Sequence, residues 1–162
     1  MRSRYWFLLA SSLVLIDQAA KLAIRGHFAV GERLPLSGFF NLTLLYNPGA
    51  AFSFLADAGG WQKGVFTFLG FGVSVWIAIM LCRHPEKTLQ NHALALVMGG
   101  AIGNVIDRIA YGAVVDFLDF HVSGWHWPAF NIADAGITAG AILLFIATAQ
   151  EQRAEKPGIE TR

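Results

Sequence analysis

Four stretches of this chain, residues 5–23, 64–81, 93–109 and 132–149, are each apolar and long enough to cross a bilayer, whose hydrocarbon core takes about 20 helical residues (roughly 17 to 25). Lipid offers no partner for a backbone N–H or C=O, so such segments satisfy their own peptide groups as helices. With 55% of the 162 residues hydrophobic and only 14% charged, the composition is that of a membrane protein. The expected architecture is mainly α: one membrane-embedded domain over residues 1–162, four transmembrane helices, outer loops at 24–63 and 110–131, and a charged, disordered tail at 150–162.

Basic residues orient the bundle. Arg2, Arg4, Arg83, Lys87, Arg153, Lys156 and Arg162 flank one side, against Arg25, Arg33 and Lys63 on the other, so the positive-inside rule puts both termini in the cytoplasm. Arg2 and Arg4 before an apolar run also resemble a cleavable signal peptide. Three further spans, and Asp17 with Lys21 spaced four apart on one helical face, favour a retained first helix. A net charge of +1 with no clustered basic face excludes a nucleic-acid partner.

The loop at 24–63 is too long for a simple connector. Alternation around Phe40, Leu42, Leu44 and Tyr46, flanked by Gly38 and the turn signal Asn47-Pro48-Gly49, predicts short strands. Val114 to Phe120 is a second strand-like run, and the two form a small sheet on the outer membrane surface. Trp125 and Trp127 suit the aromatic belt at the interface.

Asp17, Lys21, Asp107, Arg108 and Asp134 all fall at the outer ends of their helices, at the same level as Asp116. An acid that close to hydrocarbon is costly, and its retention points to function. Asn104, Asp107 and Arg108 share a helical face just above Gly99, Gly100 and Gly103, whose small size lets the third helix approach a neighbour, as Gly136 and Gly140 do for the fourth. Arg108 and Asn104 could hold a carboxylate, and Arg108 is expected to order this end through hydrogen bonds to backbone or carboxylate, whereas Asp107 fits better as part of a structural polar cluster. Asp134 begins the fourth helix with Asn131 as its cap, where the helix N-terminus favours an ionised carboxylate; Asp116, in an apolar run, is harder to ionise. If folding brings them together they would share a proton, one activating water while the other polarises a carbonyl. The opposing reading leaves both as solvated interfacial residues.

Other chemistries have weaker support. His27, His84, His92, His121 and His126 lack metal-binding spacing, no serine has a nucleophile-elbow context, and Cys82 lies far from the polar cluster. No metal or cofactor is expected.

Taken in order, Asp17-Gln18 with Lys21, Asn47-Pro48-Gly49-Ala50-Ala51-Phe52, Gly99 to Arg108, Val114-Val115-Asp116-Phe117 and Phe130-Asn131-Ile132-Ala133-Asp134 closely resemble the motifs of bacterial lipoprotein signal peptidase, signal peptidase II. The resemblance implies an intramembrane aspartic endopeptidase of the bacterial inner membrane. It would remove the signal peptide from diacylglyceryl-modified prolipoproteins just before the lipidated cysteine. It also implies Asp116 and Asp134 as the catalytic pair, with Asp17, Lys21, Asn47, Gly49, Asn104, Arg108, Asn131 and Ala133 as substrate-binding or site-ordering residues. Asp119 lies outside the catalytic position. Further implications are an outer sheet that cradles substrate, a mobile helix around residues 50–61, contact with membrane lipids, and inhibition by globomycin-type cyclic peptides. The alternative is a small proton-coupled transporter or proton relay, with a purely structural subunit third. Acids gathered at one end, and halves that do not match, argue against transport.

Overall fold

A computed structural model describes residues 2–49 and 60–154 of the chain. Four helices, α1 (Arg2–His27), α2 (Trp61–Arg83), α3 (Thr88–Tyr111) and α4 (Ile132–Ala154), are each long and apolar enough to cross a membrane. At about 1.5 Å per residue even the shorter ones exceed a hydrocarbon core of roughly 30 Å. They outrun the apolar stretches read from the sequence because hydropathy marks the lipid-facing segment, whereas helical hydrogen bonding continues into the polar margin. For the same reason residues 150–154, expected in a disordered tail, continue α4. The expected covering helix falls almost wholly on residues 50–59, outside the described residues, and Trp61 belongs to α2.

α3 is the axis of the bundle: its apolar window is 56% buried, against 17–22% for the other three helices. Close approach rests on its glycines. A Cβ on Gly99 would come within 2.8 Å of Ala10 O in α1, and one on Gly100 would collide with Ala133 O in α4. On α4, a Cβ on Gly140 would lie 2.7 Å from Ala93 O of α3. Without a hydrophobic drive between helices in lipid, such backbone proximity carries the packing. Away from the sheet, Trp6, Ala10, Ile77, Leu81, Leu94 and Met98 knit α1, α2 and α3 together.

At the opposite end sits an antiparallel sheet in the order β1 (Arg33–Ser37), β2 (Phe40–Asn47), β3 (Val114–Val122), β4 (Trp125–His126). Gly112, at φ 79°, ends α3 with its N–H on Arg108 O and turns the chain directly into β3. A tight turn through Ser123 (φ 49°) and Gly124 (φ 82°) then joins β3 to β4. Leu44, Val115 and Phe117 pack on Ile24 and fasten the sheet to the end of α1. Phe130 returns along β3, its carbonyl accepting from the N–H groups of Phe117 and Leu118, and so delivers Asn131 to the side of Asp116.

Candidate active site

Asp116 and Asp134 border one cavity of about 300 Å³, shared with Asn47, Asn104, Arg108 and Trp127. Asp116 comes from β3 and Asp134 from the first turn of α4, and both are largely buried. Every oxygen of the pair has an amide donor. Asn131 Nδ2 donates to Asp116 Oδ1 at 2.7 Å and Asn47 Nδ2 to Asp116 Oδ2 at 3.0 Å. Asn104 Nδ2 donates to Asp134 Oδ1 at 2.7 Å, and the Asn131 N–H to Asp134 Oδ2 at 3.3 Å. Burial, and then the nearby Asp134 charge, push the Asp116 carboxyl up to about 7 against the pull of the Asn47 and Asn131 amides.

Asn131 is central because it serves two elements. Its Oδ1 accepts the Asp134 N–H at 2.9 Å, so Asn131 and Asp134 cap the start of α4 reciprocally. A neighbouring N–H of that first turn, on Ala133, donates to Asp17 Oδ1 of α1 at 2.9 Å. Ala133 is fully buried, and the contacts of Gly100 and Gly103 on its backbone and Cβ leave no room for a larger side chain.

Below the pair lies a fully enclosed ionic cluster. Lys21 Nζ is 2.7 Å from both Asp17 Oδ2 and Asp107 Oδ2, and it donates to Asn104 Oδ1 at 3.3 Å. Asp107 also accepts from the Val115 N–H at 3.1 Å and from Gln18 Nε2 at 2.9 Å. Asp107 is therefore structural, as the sequence suggested: it pins the strand residue next to Asp116. Lys21 fixes the Asn104 amide, leaving the Nδ2 side to face Asp134.

Of the two partners open to Arg108, backbone or carboxylate, it takes backbone carbonyls. Nη1 donates to Asn104 O and Nη2 to Gly49 O, each at 3.3 Å. The Gly49 N–H in turn donates to Asn47 Oδ1 at 3.0 Å, so Arg108 supports the turn that presents Asn47 to Asp116. A guanidinium fork suits two carbonyls on separate elements.

Asp119 takes no part in this cavity. Buried, it accepts from Asn41 Nδ2 at 2.9 Å and from His126 Nδ1 at 2.7 Å, with Arg33 Nε at 3.7 Å. Burial raises its pKa, but Asn41, His126 and Arg33 outweigh that and hold it below the usual carboxylate range. The sequence placed Gln18 in the first motif without giving it a role and read Trp127 only as an interfacial residue, and it missed Ile137 and Thr138 on the cavity wall. Thr138, four residues after Asp134 on the same helix face, was detectable by spacing; Trp127 had no local signal. Among the described residues no group of three or more His, Cys, Asp or Glu is arranged to hold a metal ion.

The family model for signal peptidase (SPase) II matches residues 9–150. A lipoprotein signal peptidase of Ralstonia nicotianae is 58% identical over 141 residues, covering 87% of this chain and 82% of the relative. Another, of Burkholderia mallei, is 55% identical over 139 residues, with 86% and 84% covered. Among solved structures, a bacterial membrane enzyme determined at 2.3 Å superposes with a TM-score of 0.84 at 30% identity, over 95% of this chain and 93% of that one.

Proposed function

The chain belongs to the signal peptidase II family, and on that premise we propose that Asp116 and Asp134 are the carboxylates with which it cleaves prolipoproteins. It is a multi-pass membrane protease that removes signal peptides from prolipoproteins. The observation that carries the residue assignment is the shared cavity in which both acids are held by Asn47, Asn104 and Asn131.

With its pKa near 7, Asp116 keeps the proton of the pair, while Asp134 holds the negative charge at the N-terminus of α4. A water between them attacks the scissile carbonyl carbon. Asp134 takes a proton from the water as Asp116 gives its own to the carbonyl oxygen. On collapse the C–N bond breaks, Asp134 protonates the leaving nitrogen, and Asp116 recovers a proton from the new carboxyl group. Both acids return to their starting states, and the products are a signal peptide with a free carboxyl group and a mature chain with a free amine, between which the last proton redistributes in water.

The substrate is a diacylglyceryl-modified prolipoprotein cut just before its lipidated cysteine. Its acyl chains stay in the bilayer, which avoids an extraction cost of about 0.8 kcal/mol per CH₂. Both termini are cytoplasmic in a bacterial inner membrane, and the pair lies near the outer leaflet surface, where water reaches it. Globomycin-type cyclic peptides compete for the same cavity.

Purified protein in detergent, incubated with a lipidated prolipoprotein and no gradient or second protein, should give the two products by mass. Asp116→Asn and Asp134→Asn should each lower the rate by roughly 10² to 10⁴-fold, while Asp119→Asn retains substantial activity. Near-normal turnover by either variant of the pair would remove the assignment.

A further inference from the structure

A second groove, of about 390 Å³, runs from Asp116 along the sheet to Arg33, Asp119 and His126. It shares Asn47, Asp116 and the Trp127 to Ala129 segment with the catalytic cavity, so the two are continuous. They differ in character at their far ends. The catalytic cavity reaches Ile137 and Thr138, the next turn of α4 inside its span, whereas this groove ends on charged groups carried by the sheet.

That polarity has a built foundation. Asp119 is 3% exposed, and an ionised carboxylate only accepts, so His126 Nδ1 carries the proton that it donates. Asn41, directly opposite Asp119 in the strand pair, donates to its other oxygen. Arg33 approaches that oxygen only through Nε at 3.7 Å, and its side chain is 54% exposed. The buried acid thus anchors an arginine whose guanidinium stands at the groove's aqueous end.

Resting on the proposed function, we propose that this groove receives the exported polypeptide immediately after the scissile bond, and that Arg33 favours an acidic over a basic side chain there. The signal helix, on the other side of the bond, is apolar and must approach through the membrane-embedded wall of Ile137 and Thr138. The mature segment leaves in the opposite direction, and the groove meets it with an exposed cation. Asp119, Asn41 and His126 are positioning residues that set where that cation sits.

The test uses lipidated prolipoprotein peptides identical except for Asp, Ser or Lys at the second and third positions after the cut, with kcat/KM followed by product mass. Wild-type enzyme should cleave the Asp peptides about three- to fivefold better than the Lys peptides, chiefly through KM, with the ratio shrinking as salt is raised. Arg33→Gln should bring the ratio to about one, and Arg33→Glu should reverse it. Arg83→Glu, at the far end of α2, should keep the wild-type ratio. Equal rates for Asp and Lys peptides with wild-type enzyme, or a ratio unchanged in Arg33→Gln, would overturn the proposal. Failure of wild-type enzyme to cleave even the Ser peptide would instead count against the proposed function.

Discussion

Asn131 and Asp134 cap one another: the Asp134 N–H donates to Asn131 Oδ1 at 2.9 Å, and the Asn131 N–H donates to Asp134 Oδ2 at 3.3 Å. Since Asn131 also donates to Asp116 at 2.7 Å, one side chain both starts α4 and sets the spacing of the two acids. Asn131→Ala should cost about 1 kcal/mol for the cap and roughly 0.5–1.5 kcal/mol for the hydrogen bond to the protonated Asp116. Asn131→Ser restores a cap but is too short to reach Asp116. It should recover much of the melting temperature in detergent, with activity still down tenfold or more, at about 1.4 kcal/mol per factor of ten. Full activity in Asn131→Ser would detach the cap from the catalytic geometry.

Protonation of Asp116 gives a pH signature. Its folded pKa of about 7 lies well above the ordinary carboxylate range, so the folded state binds the proton more tightly than the unfolded chain. By linkage, its contribution to stability is fully present below pH 4 and is lost as pH rises to about 7. Melting temperature should decline across that window, and Asp116→Asn should flatten the decline. kcat/KM should also fall as pH rises through about 7, because the shared proton is lost. A flat rate from pH 6 to 9 would contradict this protonation state.

Lys21 faces two buried carboxylates, at 2.7 Å each. Replacing it with Met leaves Asp17 and Asp107 enclosed without their counter-charge, an arrangement that costs roughly 3–5 kcal/mol. Lys21→Met should melt far below wild type and lose activity through the released Asn104 amide. Adding Asp107→Asn should recover part of the stability, and a double variant no more stable than the single one would mean that the cluster is not electrostatically coupled.

Arg108 donates to Gly49 O and Asn104 O, so its effect should reach the acids through Asn47. Arg108→Lys should lower activity clearly, because a single ammonium cannot span both carbonyls. Arg108→Ala should lower it further and reduce thermal stability by roughly 1.5–3 kcal/mol. Wild-type activity and melting in Arg108→Ala would reduce Arg108 to an interfacial anchor.

The spans, the strands around Phe40 to Tyr46 and Val114 to Phe120, and the Asn131 cap were readable in advance because each depends on neighbours a few residues away. The glycine contacts of α3 and α4 were readable for the same reason: small residues spaced three or four apart face one way. For Arg108 the sequence left backbone and carboxylate both open, since nothing local distinguishes a carboxylate from a peptide carbonyl as its acceptor. The cavity positions of Trp127 and of the Arg33, Asp119 and His126 group were not readable, since these residues border their cavities only because the sheet folds over the helix ends.

Hydropathy along the chain, by itself, determined that this is a four-span membrane protein with acids kept at one end of the bundle, because insertion into lipid is a property of each segment alone. Tertiary structure decided which partners each acid meets. Asp107 and Asp116 are nine residues apart, yet one closes on Lys21 from α1 while the other meets Asn131 and Asn47. That division follows from the turn at Gly112 and from the packing of α3 against α1 and α4. Hydrogen-bond partners are chosen by proximity in space, and between residues 15 to 116 positions apart only the assembled fold supplies it.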